Sequence, residues 1–148
     1  MRRFPPRPIE ILLVEDSISD AKLMAKALRQ CKIATQIHRV RDGVEALDFL
    51  RQEGQYADCP LPHLILLDLN LPRKNGWEVL TEIKSDPRLR AIPAIVSSSS
   101  DDSRDILRAY QLHANSYVAK PTNLEQFRDL VRSLEDFWLT LAKLPSLY

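Results

Sequence analysis

The sequence predicts a three-layer α/β fold, and three observations carry that expectation. Short apolar runs alternate with stretches of helical periodicity, giving β-α five times over. The runs Ile11–Val14 and Leu64–Leu67 are apolar without alternation, as strands covered on both faces are. Turn chemistry follows the runs: Pro72 and Gly76 come soon after Asp68, and Pro121 directly follows Lys120. Alternation of this kind with right-handed crossovers leaves few solutions other than a parallel sheet with helices on both faces.

The elements follow in order. At 148 residues, 45% of them apolar, the chain fits one domain with a sizeable core. Residues 1–8 are rich in Pro and Arg and read as an extended N-terminal tail, leaving 9–148 as the folded domain with a C-terminal helix extension. Strand one spans Ile9–Val14 and closes on Glu15-Asp16-Ser17. Ile18, Ala21, Met24/Ala25 and Leu28 recur at helical spacing as a core stripe, with an end near Gln30 or Cys31. Gln36–Val40 alternates polar and apolar residues, which suits an edge strand. Asp42-Gly43-Val44-Glu45 reads as a capping-box variant opening a helix through Ala46, Leu47, Phe49 and Leu50. Gly54–Pro62 is a loop.

The stretch from His63 to Pro72 organises the rest. Its apolar run stops on Asp68 and then breaks, so this carboxylate sits near the C-terminal end of a central strand, at the edge where open α/β sheets bind ligands. A helix of about Trp77–Ser85 follows, with Leu80 and Ile83 inward and Asp86-Pro87 at its end. Strand four, Ile92–Ser100, dissolves into hydroxyls; by composition alone the serine run reads as a loop and helix cap. Ile106, Leu107 and Tyr110 mark a fourth helix. Ser116–Ala119 is a short fifth strand ending at Lys120-Pro121. Thr122 or Asn123 caps a last helix carrying Leu124, Phe127, Leu130, Val131, Leu134, Trp138 and Leu141, with Pro145 as its stop.

Charge narrows the function classes. Lys and Arg number 21 against 20 Asp and Glu, for a formal charge of +1, so no strong field draws the protein to nucleic acid or anionic lipid. Cys31 and Cys59 lie far apart without metal-ligand spacing and read as incidental thiols of a reducing compartment. The N-terminus has positive charge but no apolar stretch of signal-peptide length, and nothing later approaches a membrane span. A cytoplasmic protein is expected.

Parallel strands share one C-terminal edge, so Glu15, Asp16, Asp68, Ser98 and Lys120 should converge although they are far apart in sequence. Taken singly, Asp68 could merely cap a strand and Lys120 could be a solvated side chain. Together they read differently. Clustered carboxylates raise one another's pKa unless a cation neutralises them, and hard oxygen ligands suit Mg²⁺. A lysine and a hydroxyl beside that metal form a receptor for a transferring phosphoryl group.

With these residues in place, the chain resembles the receiver domain of two-component response regulators over nearly its whole length. The carrying residues are Glu15-Asp16, Asp68, Asn70, Pro72, Gly76, Ser98, Tyr117 and Lys120-Pro121, with Ser98 30 residues and Lys120 52 residues beyond Asp68. The resemblance implies a flavodoxin-like (βα)5 fold with sheet order 2-1-3-4-5. It implies that a histidine kinase phosphorylates Asp68. It further implies that Asp16, Asp68 and the Asn70 carbonyl bind Mg²⁺ with help from Glu15, that Ser98 and Lys120 bind the phosphoryl group, and that Tyr117 reports its presence. Ser98 departs from the usual Thr and is freer at χ1. The longer segment before Asp68, the sequence Asp68-Leu69-Asn70-Leu71-Pro72 and the ending Asp136-Phe137-Trp138-Leu139 look like single-domain regulators that partner bacterial and cyanobacterial phytochromes.

Other classes fit less well. A hydrolase of the haloacid-dehalogenase type would need an acid where Asn70 stands, and a flavin phosphate would be repelled by Glu15-Asp16. A receiver-like scaffold that is never phosphorylated would not need the acidic set. No output domain follows the last helix, so output is expected to be a protein contact rather than enzymatic turnover. The surplus of apolar residues around Phe137, Trp138 and Leu139 predicts a homodimer through the fourth helix, fifth strand and last helix.

Overall fold

Continuous burial on both faces makes β3 (Leu64–Asp68) the centre of the molecule: every one of its residues is buried. Around it lie β1 (Ile9–Val14), β2 (Thr35–Val40), β4 (Ala94–Ser98) and β5 (Ser116–Ala119), all parallel, in the order β2-β1-β3-β4-β5. This is the expected order, and the half-buried β2 is an edge strand as its alternation predicted. The structure is a computed structural model that describes residues 7–147. Of the expected tail, residues 1–6 lie outside the described residues, and Arg7 and Pro8 carry no regular structure.

Side chains of successive strand residues point to opposite faces, so each inner strand feeds two cores. Ile65 and Leu67 of β3 join Leu12, Val14 and Val96 under α2 (Gly43–Leu50) and α3 (Gly76–Ser85), where Leu47, Leu50, Val79, Leu80 and Ile83 are buried. Leu64 and Leu66 join Ile11, Leu13 and Ile95 under α1 (Ile18–Arg29) and α5 (Leu124–Asp136), where Met24, Leu28, Phe127, Val131 and Leu134 are buried. Each such side chain contributes about 1.5–3 kcal/mol by leaving water. The remaining helix, α4 (Ser103–Gln111), buries only Ala109 and leaves Leu107 and Tyr110 exposed.

Local details differ from the sequence expectation for identifiable reasons. Ile18, expected in the core stripe, is 61% exposed because it sits in the first turn of α1, beyond the end of the sheet. Asp42 does cap α2 by accepting from Glu45 N at 2.9 Å, but the Glu45 carboxylate accepts from Arg41 N instead of completing the box on Asp42. The complete capping box is at α3, between Asn75 and Glu78. Gly76 opens that helix where a Cβ would lie 2.6 Å from the Asp68 carbonyl oxygen, so only glycine lets α3 begin this close to the end of β3.

Strand β4 is shorter than the expected Ile92–Ser100, with Ile92 and Pro93 before it and Ser99 and Ser100 in the loop after it. Asn123 caps α5, one of the two residues expected to do so. The largest departure follows. At Phe137 the backbone widens into a π-helical turn, Phe137–Leu141, closed by Ala142 N donating to Phe137 O at 2.7 Å. The extra residue shifts the phase of the helix. Leu139 turns into the core, Trp138 packs against it, and the exposed apolar surplus falls to Phe137 and Leu141 instead of Phe137, Trp138 and Leu139.

Candidate phosphoacceptor and metal site

The parallel arrangement brings the predicted residues to one edge. Asp68 closes β3, and Glu15 and Asp16 follow β1 on the neighbouring strand. Oxygens of Glu15, Asp16 and Asp68 all lie within 4.8 Å of one another; Glu15 and Asp68 are buried and Asp16 is exposed. Lys120 leaves β5 with its N–H donating to Ser98 O at 2.9 Å, which ties the ends of β4 and β5 together. Its ammonium reaches Asp68 Oδ2 at 2.8 Å and Glu15 Oε1 at 3.3 Å.

The electrostatics follow from this crowding. Burial pushes the Glu15 carboxyl up, and the charge of Asp68 adds to it, against the Ser17 N–H and the Lys120 ammonium, to a pKa of about 7. For Lys120 burial works against the charged form. The hydrogen bond and charge of Asp68, followed by those of Glu15, outweigh it and hold the ammonium well above its ordinary range. Three carboxylates and one lysine leave net negative charge in a partly dry site, composed only of hard oxygen donors. That donor set fits a divalent cation of the Mg²⁺ or Mn²⁺ kind.

The remaining predicted residues are placed as follows. Asn70 is exposed and meets the cluster through its N–H, which donates to Asp68 Oδ1 at 3.0 Å. Ser98 is buried, and its Oγ accepts from Ser100 N at 3.1 Å. Tyr117 packs against the core beneath α2 and α3, and its hydroxyl donates to Ser100 O at 2.7 Å. Ser98 and Tyr117 thus meet at the main chain of Ser100. Ser100 Oγ in turn donates to Asp105 Oδ2 at 2.7 Å, in the first turn of α4.

Sequence reasoning missed three participants. Asp20 lies 3.6 Å from the Lys120 ammonium but reads in sequence as a solvated first-turn acid, although its spacing of one helical turn from Asp16 was a usable signal. Arg39 donates to the carbonyls of Glu15 and Asp16, and no sequence pattern announces a bond from an edge strand to a neighbouring loop. Ser100 was visible only as part of the serine run.

A parallel sheet of this order, with an acidic cluster and a lysine at its C-terminal edge, defines the receiver class, and the chain belongs to the response regulator receiver domain family, whose model matches residues 11–132. It is a receiver-type response regulator. Among curated proteins it is similar to the response regulator Rcp1 of Synechocystis sp., 45% identical over 139 residues that cover 94% of this chain and 95% of that protein. Among solved structures it is similar to the phosphorylated cyanobacterial phytochrome response regulator RcpA, with a TM-score of 0.90, 49% identity, and coverage of 95% of this chain and 100% of that one. The Mn²⁺-bound form of Rcp1 gives a TM-score of 0.88 at 45% identity, covering 94% of this chain and 100% of that one. No helix among the described residues is long and apolar enough to cross a membrane.

Proposed function

We propose that this protein is a cytoplasmic phosphorelay switch that takes a phosphoryl group from a histidine kinase onto Asp68, with Mg²⁺ as its cation. The observation that carries the reading is the buried Asp68 carboxylate at the end of the central strand, 2.8 Å from Lys120 and beside two further carboxylates. An oxygen of Asp68 attacks phosphorus in line, an acyl-phosphate O–P bond forms, and the N–P bond of the phosphohistidine breaks with its electron pair returning to the imidazole. Lys120 shifts its hydrogen bond from Asp68 to a phosphoryl oxygen, and the Ser98 hydroxyl donates to another. Glu15, Asp16, Asp68 and the Asn70 carbonyl would hold Mg²⁺, which when bound offsets charge on the phosphoryl oxygens. Receivers of this kind promote only their own phosphoryl transfer and dephosphorylation.

Acetyl phosphate with Mg²⁺ tests the acceptor. Wild type should gain an acid-stable, base-labile phosphoryl group and Asp68→Asn should not; wild-type labelling of the variant would overturn the assignment. The named relatives support a phytochrome-linked kinase as the donor, tested by transfer from such a kinase against an unrelated one. On this reading residues 9–148 form one receiver domain with a C-terminal helix extension.

Switching is expected to move Ser98 toward the phosphoryl group and Tyr117 inward, read out by α4. The same face, α4, β5 and α5, is the proposed homodimer seam. Its support is the exposed Leu107 and Tyr110 on α4 and Phe137 and Leu141 at the end of the last helix, in a chain of near-zero net charge. Sedimentation equilibrium should find a dimer that Phe137→Ser with Leu141→Ser weakens, and a monomer at tens of micromolar would end that proposal.

A further inference from the structure

We propose that Arg39, on the edge strand, is a positioning residue for the divalent-cation site, an inference that rests on the metal-binding reading given above. The sheet ladder between β1 and β2 runs out at Val14, which pairs with Val40, and its last bond is Glu15 N donating to Val40 O at 3.0 Å. Beyond that point the chain leaves the sheet, and the carbonyls of Glu15 and Asp16 need donors from elsewhere. Arg39 supplies both: Nε donates to Glu15 O at 2.9 Å and Nη2 to Asp16 O at 3.1 Å.

A guanidinium is planar and rigid, so one side chain bonded to two consecutive carbonyls fixes the peptide planes between them. Those planes direct the two side chains that contribute to the acidic cluster. Glu15 has further holds from the Ser17 N–H and Lys120, so its carboxylate is over-determined. Asp16 is exposed, and its direction depends on its main chain. Arg39 therefore acts on the site through Asp16 first.

The charge on Arg39 makes the test sharp, because positioning and electrostatics predict opposite signs. A cation near a metal site weakens metal binding, so its removal should strengthen binding if charge were its only effect. Positioning predicts the reverse. Mg²⁺ affinity of the full chain, measured by calorimetric titration, should fall about 10-fold in Arg39→Gln and also in Arg39→Lys, the scale on which groups supporting metal ligands act. Lysine keeps the charge but lacks the planar, rigid fork that holds the two carbonyls in a fixed relation.

Phosphorylation from acetyl phosphate gives the second readout. In both variants its rate should return to the wild-type value once Mg²⁺ exceeds the raised dissociation constant, which a damaged fold would not allow. Wild-type or tighter Mg²⁺ binding by either variant overturns the inference, as does a rate that stays depressed at saturating Mg²⁺. If Arg39→Gln fails to fold, Arg39→Lys alone decides by the same two measurements. A wild type without Mg²⁺ affinity would overturn the metal-site reading itself and this inference with it, a result distinct from failure in the variants alone.

Discussion

The two ends of one parallel sheet handle polar groups in opposite ways. At the N-terminal ends of the strands donors are matched to acceptors. His38 Nε2 meets Glu10 Oε1 at 2.7 Å, and Glu10 N donates to His63 Nδ1 at 2.9 Å. The Lys84 ammonium is shared among Arg90 O, Ile92 O and Asn115 Oδ1 at 2.9–3.0 Å. Asn115 also fixes the start of β4 by accepting from Ala94 N and donating to Ala94 O, each at 2.9 Å. At the C-terminal ends, like charges are pressed together around one lysine, and burial, with the charge of Asp68 added, raises the Glu15 pKa toward 7. The first end is arranged to be stable as it stands. The second is arranged to be completed by a ligand.

Substitutions that break this contrast should separate activity from stability. The largest effect is expected for Lys120→Met: the rate of phosphorylation by acetyl phosphate should drop by about 10²–10³-fold, as for removal of a preorganised donor. Mg²⁺ should bind more tightly to this variant, because a cation has left the carboxylates; weaker binding would mean that Lys120 builds the site rather than answering its charge.

Second is the pH dependence of the metal-free protein. The folded pKa of Glu15 lies above its ordinary value, so its contribution to stability is fully present below about pH 4.5 and is lost as pH rises through about 7. Thermal unfolding of the metal-free protein should show that decline, and Mg²⁺ at pH 7 should reverse it; Glu15→Gln should flatten the curve.

At the opposite end, Asn115→Ala strips partners from Ala94 N and the Lys84 ammonium and should cost about 1–3 kcal/mol in urea unfolding. Its phosphorylation rate should equal that of wild type. The smallest effect is expected for Glu10→Gln: at most about 1 kcal/mol of stability, as for a partly exposed hydrogen bond that the amide can still make, with unchanged Mg²⁺ affinity. A change in metal binding from either substitution would show that the two ends are coupled.

The features that burial dictates were legible in the sequence, and those that depend on single bonds were not. Strands Ile9–Val14 and Ser116–Ala119 have the bounds expected of them, and the convergence of Glu15, Asp16, Asp68, Ser98 and Lys120 follows from parallel topology alone. The π turn at Phe137–Leu141 was hidden because apolar spacing near a helix end does not distinguish an ordinary turn from one widened by a residue. Glu45 satisfied the capping-box pattern, yet its carboxylate bonds Arg41, a choice set by the Arg41 guanidinium 3.1 Å away. Asn75 and Glu78 were an equally clear signal that went unread beside Pro72 and Gly76, which mark the same turn.

Ser100 gives the site a mechanical character. Its amide is engaged by Ser98, its carbonyl by Tyr117 and its hydroxyl by the first turn of α4. A residue held at three points by three different elements acts as a keystone: it cannot drift partway, since any displacement loosens several bonds together. If Ser98 turns toward a phosphoryl group as proposed, one support is removed and the other two give way or hold as a unit. The loop is therefore suited to a threshold response, in which partial occupancy of the site changes how many molecules have switched and not how far each one has moved.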